Sequence, residues 1–186
     1  MRKMHPLRVW LDVDNKYLFR FRTAAGDKAF EFSVVNNGSA IEGISAEFSL
    51  LADNDMAERC IYGCILALNH ARVAGGVRFG QLMEPCEPVA IEFLGKSAAE
   101  TSKYVVDLKD PKGAYFREEV LVSHKEPAKQ VLWSGGQCSF GYDQFARLAV
   151  LEPKPSHYKI IDAILQFDNS RYMISYPDES PMEIDL

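Results

Sequence analysis

The sequence predicts an α+β fold in which an antiparallel sheet, built as two meanders, packs on or around one long apolar central helix, with short C-terminal helices. Three observations support this fold class. Segments of alternating apolar and polar residues, separated by turn residues, fill most of the chain. One unbroken non-polar run, residues 60–68, separates two groups of such segments. The connections within each group are shorter than the roughly dozen residues that a parallel crossover needs.

The first meander precedes the apolar run. Its predicted strands are residues 7–14, 16–23, 28–35 and 41–51. Asp14-Asn15 is a hairpin signal between the first two strands, and Asn36-Asn37-Gly38 reverses the chain before the fourth.

The second strand of this meander alternates arginine with phenylalanine. Arg20 and Arg22 follow Phe19 and Phe21 in a pattern that also resembles a base-stacking platform with phosphate contacts. A strand with one core face and one solvated face is the favoured interpretation, because that alternation is ordinary for an antiparallel sheet.

The central helix is predicted over residues 55–74. Asp55 and Glu58 have capping-box spacing, and Gly75-Gly76 ends the helix. One strip of the helix has a small residue at every fourth position, which lets another backbone approach closely: Gly63, Ala67, Ala71 and Gly75. The opposite strip is bulky until its last turn: Ile61, Ile65, Leu68 and Arg72. We expect the small strip to pack within the chain, although it would also suit a homodimer interface.

The second meander and a more helical end follow. The predicted strands are residues 77–83, 89–94, 103–108, 114–124 and 130–134; helices are predicted at 142–151 and 158–167, and a last strand at 171–176. Pro85 and Pro88 are expected to keep their connection out of any ladder. Residues 1–177 form one predicted domain, and 178–186 an acidic, flexible tail.

The composition of the chain argues against some classes of function. The chain has 186 residues and a formal net charge of -5, so we expect no general affinity for nucleic acid or for an anionic membrane. No signal peptide or membrane-spanning run is visible, which predicts a cytoplasmic protein. We expect the four cysteines to be reduced and no cofactor to be bound.

Residues 11–15 resemble the opening motif of haloacid-dehalogenase-like phosphatases, in which the first of two aspartates attacks a phosphate. That resemblance implies nucleophilic Asp12 and proton-handling Asp14 at the end of a parallel strand. Lys16 stands where the family has threonine, and residues 17–22 turn straight back as a strand. A hairpin is therefore the favoured interpretation.

Cysteine chemistry gives two weaker hypotheses. Cys138 follows Gly-Gly-Gln and resembles the approach to the nucleophile of papain-like amidases, which would make this a thiol enzyme with His157 or His124 as base. A partly buried structural cysteine is favoured. A zinc site can also be drawn from Cys60, Cys64, His70 and Cys86, but helical geometry turns His70 away from Cys64, so we expect no metal.

Several strands resemble the β-rich arm and opening strands of ABC-type ATPases. The segments concerned are residues 32–35, 48–51, 104–108, 118–121 and 131–133. Residues 61–63 would then stand where the phosphate loop begins, but its lysine and serine are missing. The resemblance implies a degenerate relative without nucleotide hydrolysis.

The favoured function is therefore non-catalytic: a protein-binding or regulatory protein of the inhibitor, immunity or adaptor type, which is preferred over an enzyme. The predicted binding residues are four large rings on neighbouring strands: Tyr104, Tyr115, Phe116 and Trp133. Any ring left outside the core would be an anchor for a protein partner. The alternative is a small-ligand cup lined by Trp10, Phe19, Phe21 and Trp133.

Overall fold

The computed structural model describes residues 4–43, 48, 55–74, 86–98, 101–124, 130–133, 139–141 and 155–175. The first meander contains β1 (Met4–Val13), β2 (Lys16–Thr23), β3 (Gly26–Val35) and β4 (Ala40–Glu42), and is followed by helix α1 (Asp55–Val73). The second contains β5 (Glu87–Ala98), β6 (Thr101–Lys109), β7 (Tyr115–Ser123), β8 (Gln130–Trp133) and β9 (Ser139–Gly141), and is followed by helix α2 (Pro155–Ser175).

The two meanders form one antiparallel sheet in the order β4-β3-β2-β1-β5-β6-β7-β8-β9. The outermost strands, β4 and β9, have three residues each. The meanders meet at β1 and β5, where only Arg8, Val9 and Trp10 pair with Glu92, Ile91 and Ala90. We call this three-pair ladder the seam.

Both helices lie on the same side of the sheet, which we call the helix face. Phe167 of α2 stacks on Phe19 of β2, and Tyr62 of α1 meets Phe32 of β3 edge to face. The α+β prediction is confirmed, but the prediction of one long central helix with short C-terminal helices was wrong. Two helices of similar length share the face and pack on each other, so neither is central.

The core contains a layer of aromatic rings between the β-sheet and these helices. Alternate residues of β2 and β3 point inward and are buried, because successive side chains of a strand face opposite sides. The rings of Phe19 and Phe21 stack 4.8 Å apart, and Phe48 contacts the ring of Phe32 edge to face at 5.1 Å. The favoured interpretation of the arginine–phenylalanine alternation, one core face and one solvated face, is therefore confirmed.

The small strip of α1 faces α2 within the chain. A Cβ atom added to Gly63 would lie 3.1 Å from the Gln166 side chain, and Ala67 and Ala71 are buried. The strip therefore meets another element, helix α2, but the contact at Gly63 is with a side chain and not with the backbone that the sequence predicted. Because α2 packs against Gly63, this part of the strip is not available for the homodimer that the sequence also suggested; Gly75 lies outside the described residues.

Three element predictions need correction, and three others lie outside the described residues. The fourth strand is only Ala40–Glu42, and Phe48 beyond it is helical and buried. Pro88 lies inside β5, beside a register shift in the β5–β6 ladder. Residues 171–175 extend helix α2 and form no strand. The predicted strand at 77–83, helix at 142–151 and tail at 178–186 lie outside the described residues.

Candidate functional site

The face of the sheet opposite the helices, here the outer face, is held by ion pairs. Asp107 of β6 accepts hydrogen bonds from Arg8 of β1 at 3.0 Å and from Arg117 of β7 at 2.8 Å. Glu92 of β5 pairs with Arg20 of β2 at 3.4 Å and lies 3.9 Å from Arg8. These side chains link five neighbouring strands, in the order β2, β1, β5, β6 and β7. In the part of the chain that the structure describes, no helix or strand packs over them.

A groove of about 400 Å³ opens beside this network, where the strands of the seam diverge. β1 continues past the seam to Val13, and β5 begins before it at Glu87, so the two strand ends bound a gap. The residues that line the groove come from β1, α1 and the second meander: Arg8, Trp10, Leu11, Asp12, Val13, Asp14, Arg72, Glu87, Val89, Ala90, Asp107, Lys109 and Tyr115.

The groove has aromatic walls next to cations. Arg8 lies over the Trp10 ring, 5.4 Å from its centroid, and the Lys109 ammonium lies 6.0 Å from the Tyr115 ring. Arg72 enters from the end of α1 and donates to the side-chain oxygens of Asn15 at 3.3 Å and Asn69 at 3.1 Å. Side chains of both signs and two large rings therefore surround one concave site.

Tyr115 is the most exposed large ring in the described part of the chain, at 68%. It stands at the start of β7, beside a tight turn in which Gly113 N–H donates to the Asp110 carbonyl and the Asp110 side chain accepts from Ala114 N–H. These bonds fix the hairpin that carries the ring. Tyr115 pairs with Lys109 and lies two residues from Arg117, so it projects from the outer face.

The other three predicted binding residues do not join Tyr115 in one site on the described outer face. Phe116 is 38% exposed but pairs with buried Leu108, so it projects towards the helix face, opposite to Tyr115. Tyr104 is fully buried, and its hydroxyl donates to Asp168 at 2.5 Å; the expectation that it could anchor a partner is corrected, because its ring belongs to the core. Trp133 pairs with Val120 through the backbone, and its side chain lies outside the described atoms.

A buried polar cluster that the sequence analysis missed ties α2 to the sheet. His124 Nε2 lies 3.3 Å from Ser102 Oγ and 3.4 Å from Asp168 Oδ1. The residue types are those of a hydrolase triad, but serine and carboxylate approach the same ring nitrogen. The imidazole therefore cannot accept the serine proton on one nitrogen while the carboxylate holds the other, as that chemistry requires. The residues are too far apart in sequence to give a local signal.

Burial raises the pKa of Tyr104 on β6 and of Cys64 on α1, both in the core. Desolvation raises the pKa of Tyr104 well above its usual value, and the neighbouring Asp168 charge adds to the effect. Burial likewise raises the pKa of the Cys64 thiol well above its usual range. Cys64 is therefore a neutral thiol of the core.

The described residues do not form the phosphatase-like or the zinc site considered in the sequence analysis. Asp12 and Asp14 flank an antiparallel hairpin with Asn15 at a φ of 60°, which confirms the hairpin interpretation. No group of three or more His, Cys, Asp or Glu in the described part of the chain is placed to hold a metal ion. His70 Nε2 instead contacts the Gly38 carbonyl at 2.6 Å. Cys138 lies outside the described residues, so its role stays a prediction.

Neither the protein-family models, the curated proteins nor the solved structures contain a match to this chain. The resemblance to ABC-type ATPases therefore stays a prediction. Among the described helices, none has the length and apolar character needed to cross a membrane.

Proposed function

We propose that the protein is a non-catalytic binding protein of the inhibitor, immunity or adaptor type, which holds a protein partner on the outer face of its sheet. The observation that carries the proposal is Tyr115, an exposed ring fixed on a tight hairpin at the rim of a groove. Tyrosine supplies a large contact area with few rotatable bonds, and such rings dominate the binding energy of protein interfaces.

The surroundings of Tyr115 support the same conclusion. Trp10 and Val13 line the groove as well, and Val13 is 53% exposed. Exposed apolar side chains that share one concave surface with charged ones resemble the mixed composition of non-obligate interfaces. The ion-pair network beneath them links five strands, so the surface is preorganised and binding a partner would cost little ordering entropy.

The test is an affinity capture from the native host, with wild type and three single variants analysed in parallel by quantitative mass spectrometry. Tyr115→Ala should reduce capture of the partner at least about tenfold, as expected for an interface anchor. Phe116→Ala alters a ring on the opposite side of the same hairpin, and Val73→Ala alters an exposed residue at the end of α1. Both should capture the partner as wild type does.

Circular dichroism would first establish that each variant is folded. A partner lost equally with all three variants, or with Phe116→Ala alone, would contradict the outer face as the interface. If no protein is captured in a Tyr115-dependent manner, the proposed function is wrong.

A second candidate function, small-ligand binding, is favoured by the groove volume, which lies in the range of small-molecule sites. The cup predicted from the sequence does not form, because Phe19 and Phe21 are buried core rings. Any small ligand would bind beside Trp10 on the outer face.

A further inference from the structure

The turn between β3 and β4 contains three consecutive residues with positive φ: Asn36, Asn37 and Gly38. Asn37 lies at a φ of 55° and a ψ of 36°, a left-handed conformation that asparagine tolerates better than most residues. Gly38 has a φ of 87°, and a Cβ atom added there would lie 2.9 Å from His70 Nε2. The turn therefore favours asparagine at the first of these two positions and requires glycine at the second.

The same two residues are the pair that supports spontaneous deamidation. Asn37-Gly38 is the only Asn-Gly pair in the sequence, and Asn37 is exposed. In this reaction the backbone nitrogen of Gly38 attacks Cγ of Asn37 and transfers its proton to the departing amide. The N–Cγ bond forms, the Cγ–Nδ2 bond breaks, and ammonia leaves. Glycine hinders this attack least, because it has no Cβ beside the nitrogen. Water then opens the cyclic imide at either carbonyl, which gives aspartate or isoaspartate.

The folded turn opposes ring closure. The Gly38 nitrogen must lie on the same side of the Cα–C bond as the Asn37 Cβ, whereas a ψ of 36° places it nearly opposite. Rotation about this bond would move Gly38, whose carbonyl lies 2.6 Å from His70 Nε2 on α1. Asn69 packs beside the same glycine and accepts a hydrogen bond from the Tyr17 hydroxyl at 3.1 Å. The reaction therefore requires the turn to separate from α1.

We propose that Asn37 is a modification site, converted to aspartate and isoaspartate by attack of the Gly38 nitrogen, and that the contact between its turn and α1 sets the rate. Isoaspartate carries the main chain through its side chain, which adds a methylene between residues 37 and 38. The Gly38 carbonyl then cannot stay against His70 while Val35 and Ala40 remain paired. A molecule modified in this way loses a contact between α1 and the sheet, and refolding does not restore it.

The experiment follows the full chain during incubation at mildly alkaline pH. Peptide mapping by mass spectrometry measures conversion at each asparagine, and chromatography separates the aspartate and isoaspartate forms. The chain supplies matched controls, because Asn15 and Asn36 are also exposed and have positive φ but do not precede glycine.

Two variants and one solvent condition test the role of α1. His70→Ala removes the side chain that contacts Gly38, and Val73→Ala alters an exposed residue of the same helix. Circular dichroism establishes that both variants are folded. Wild type unfolded in guanidinium chloride gives the rate for a turn that is free of α1, so the test does not depend on the folding of His70→Ala.

We expect Asn37 to convert at least about tenfold faster than Asn15 and Asn36. Unfolding, or His70→Ala in the folded state, should raise the Asn37 rate by about fivefold or more, and Val73→Ala should leave it as in wild type. Conversion of Asn37 no faster than that of the other two asparagines would overturn the site. A folded His70→Ala variant with the wild-type rate, or no acceleration on unfolding, would overturn the control by α1.

Discussion

The helix face and the outer face of the sheet are held by different forces. The helix face stacks aromatic rings under two helices, with Phe19 in contact with both Phe21 and Phe167. The outer face is crosslinked by guanidinium–carboxylate pairs such as Arg8–Asp107 and Arg117–Asp107. Apolar burial contributes far more to stability than partly exposed ion pairs do. The helix face therefore stabilises the fold, and the outer face is free to carry chemistry suited to binding.

The largest expected effect is on the helix face. Phe19→Ala should lower the free energy of unfolding by about 3–5 kcal/mol, because it deletes a fully buried ring and leaves a cavity. Its neighbour Arg20, on the outer face, provides the control: Arg20→Ala should cost about 1 kcal/mol or less. Urea denaturation measures both values. Similar losses for the two variants would show that the faces do not differ as described.

The pH dependence of the free energy of unfolding gives a second way to distinguish the two faces. Burial raises the pKa of Tyr104, so the folded state keeps this proton at pH values where the unfolded chain loses it. Stability from this group is therefore complete below the ordinary tyrosine pKa of about 10 and declines above it, by up to about 1.4 kcal/mol per pH unit. Tyr104→Phe should flatten this alkaline decline. Tyr17, whose pKa is also raised by burial, accounts for part of the remaining slope.

Urea denaturation at pH 8 to 11 is the measurement for Tyr104→Phe. Tyr115→Phe is the control, because it removes the same hydroxyl from an exposed ring outside the core. An unchanged slope in Tyr104→Phe would mean that the hydroxyl is not held protonated in the core.

The smallest effect is expected on the outer face. Asp107→Asn removes the charge that pairs with Arg8 and Arg117, and should cost about 1 kcal/mol at low salt. The loss should shrink as ionic strength rises, because ions screen a partly exposed pair. Denaturation midpoints at low and high sodium chloride give the comparison. A loss as large as that of Phe19→Ala, independent of salt, would contradict an electrostatic outer face.

Local patterns were sufficient to predict much of the helix face. The alternation through Phe19 and Phe21, the turn at Asn15 and the start of α1 at Asp55 each depend on neighbours in sequence, and the structure places them as predicted. Residues 171–176 were predicted as a last strand. Arg171 instead donates to the Pro6 carbonyl and lies over the Phe93 ring, so contacts with two distant strands accompany the helical conformation.

The candidate site was less predictable, since it depends on where the seam ends. The sequence identified Tyr115 as one of four equivalent rings. Only the register with Lys109 assigns its ring to the outer face and that of Phe116 to the other. The carboxylates of Asp12 and Glu87 share one groove because β1 and β5 diverge after three pairs. No local pattern encodes the pairing of strands so far apart in the chain.

The seam also bears on how the chain reaches its native state. Each meander is built from neighbouring segments, so its ladders close short loops and can form early. The ladder between Arg8 and Glu92 closes a loop that contains three strands and the whole of α1, which makes it the ladder of the sheet with the largest loop-closure entropy. The seam is thus the place where two locally folding halves become one sheet, and the groove beside it is formed only once that joining is complete.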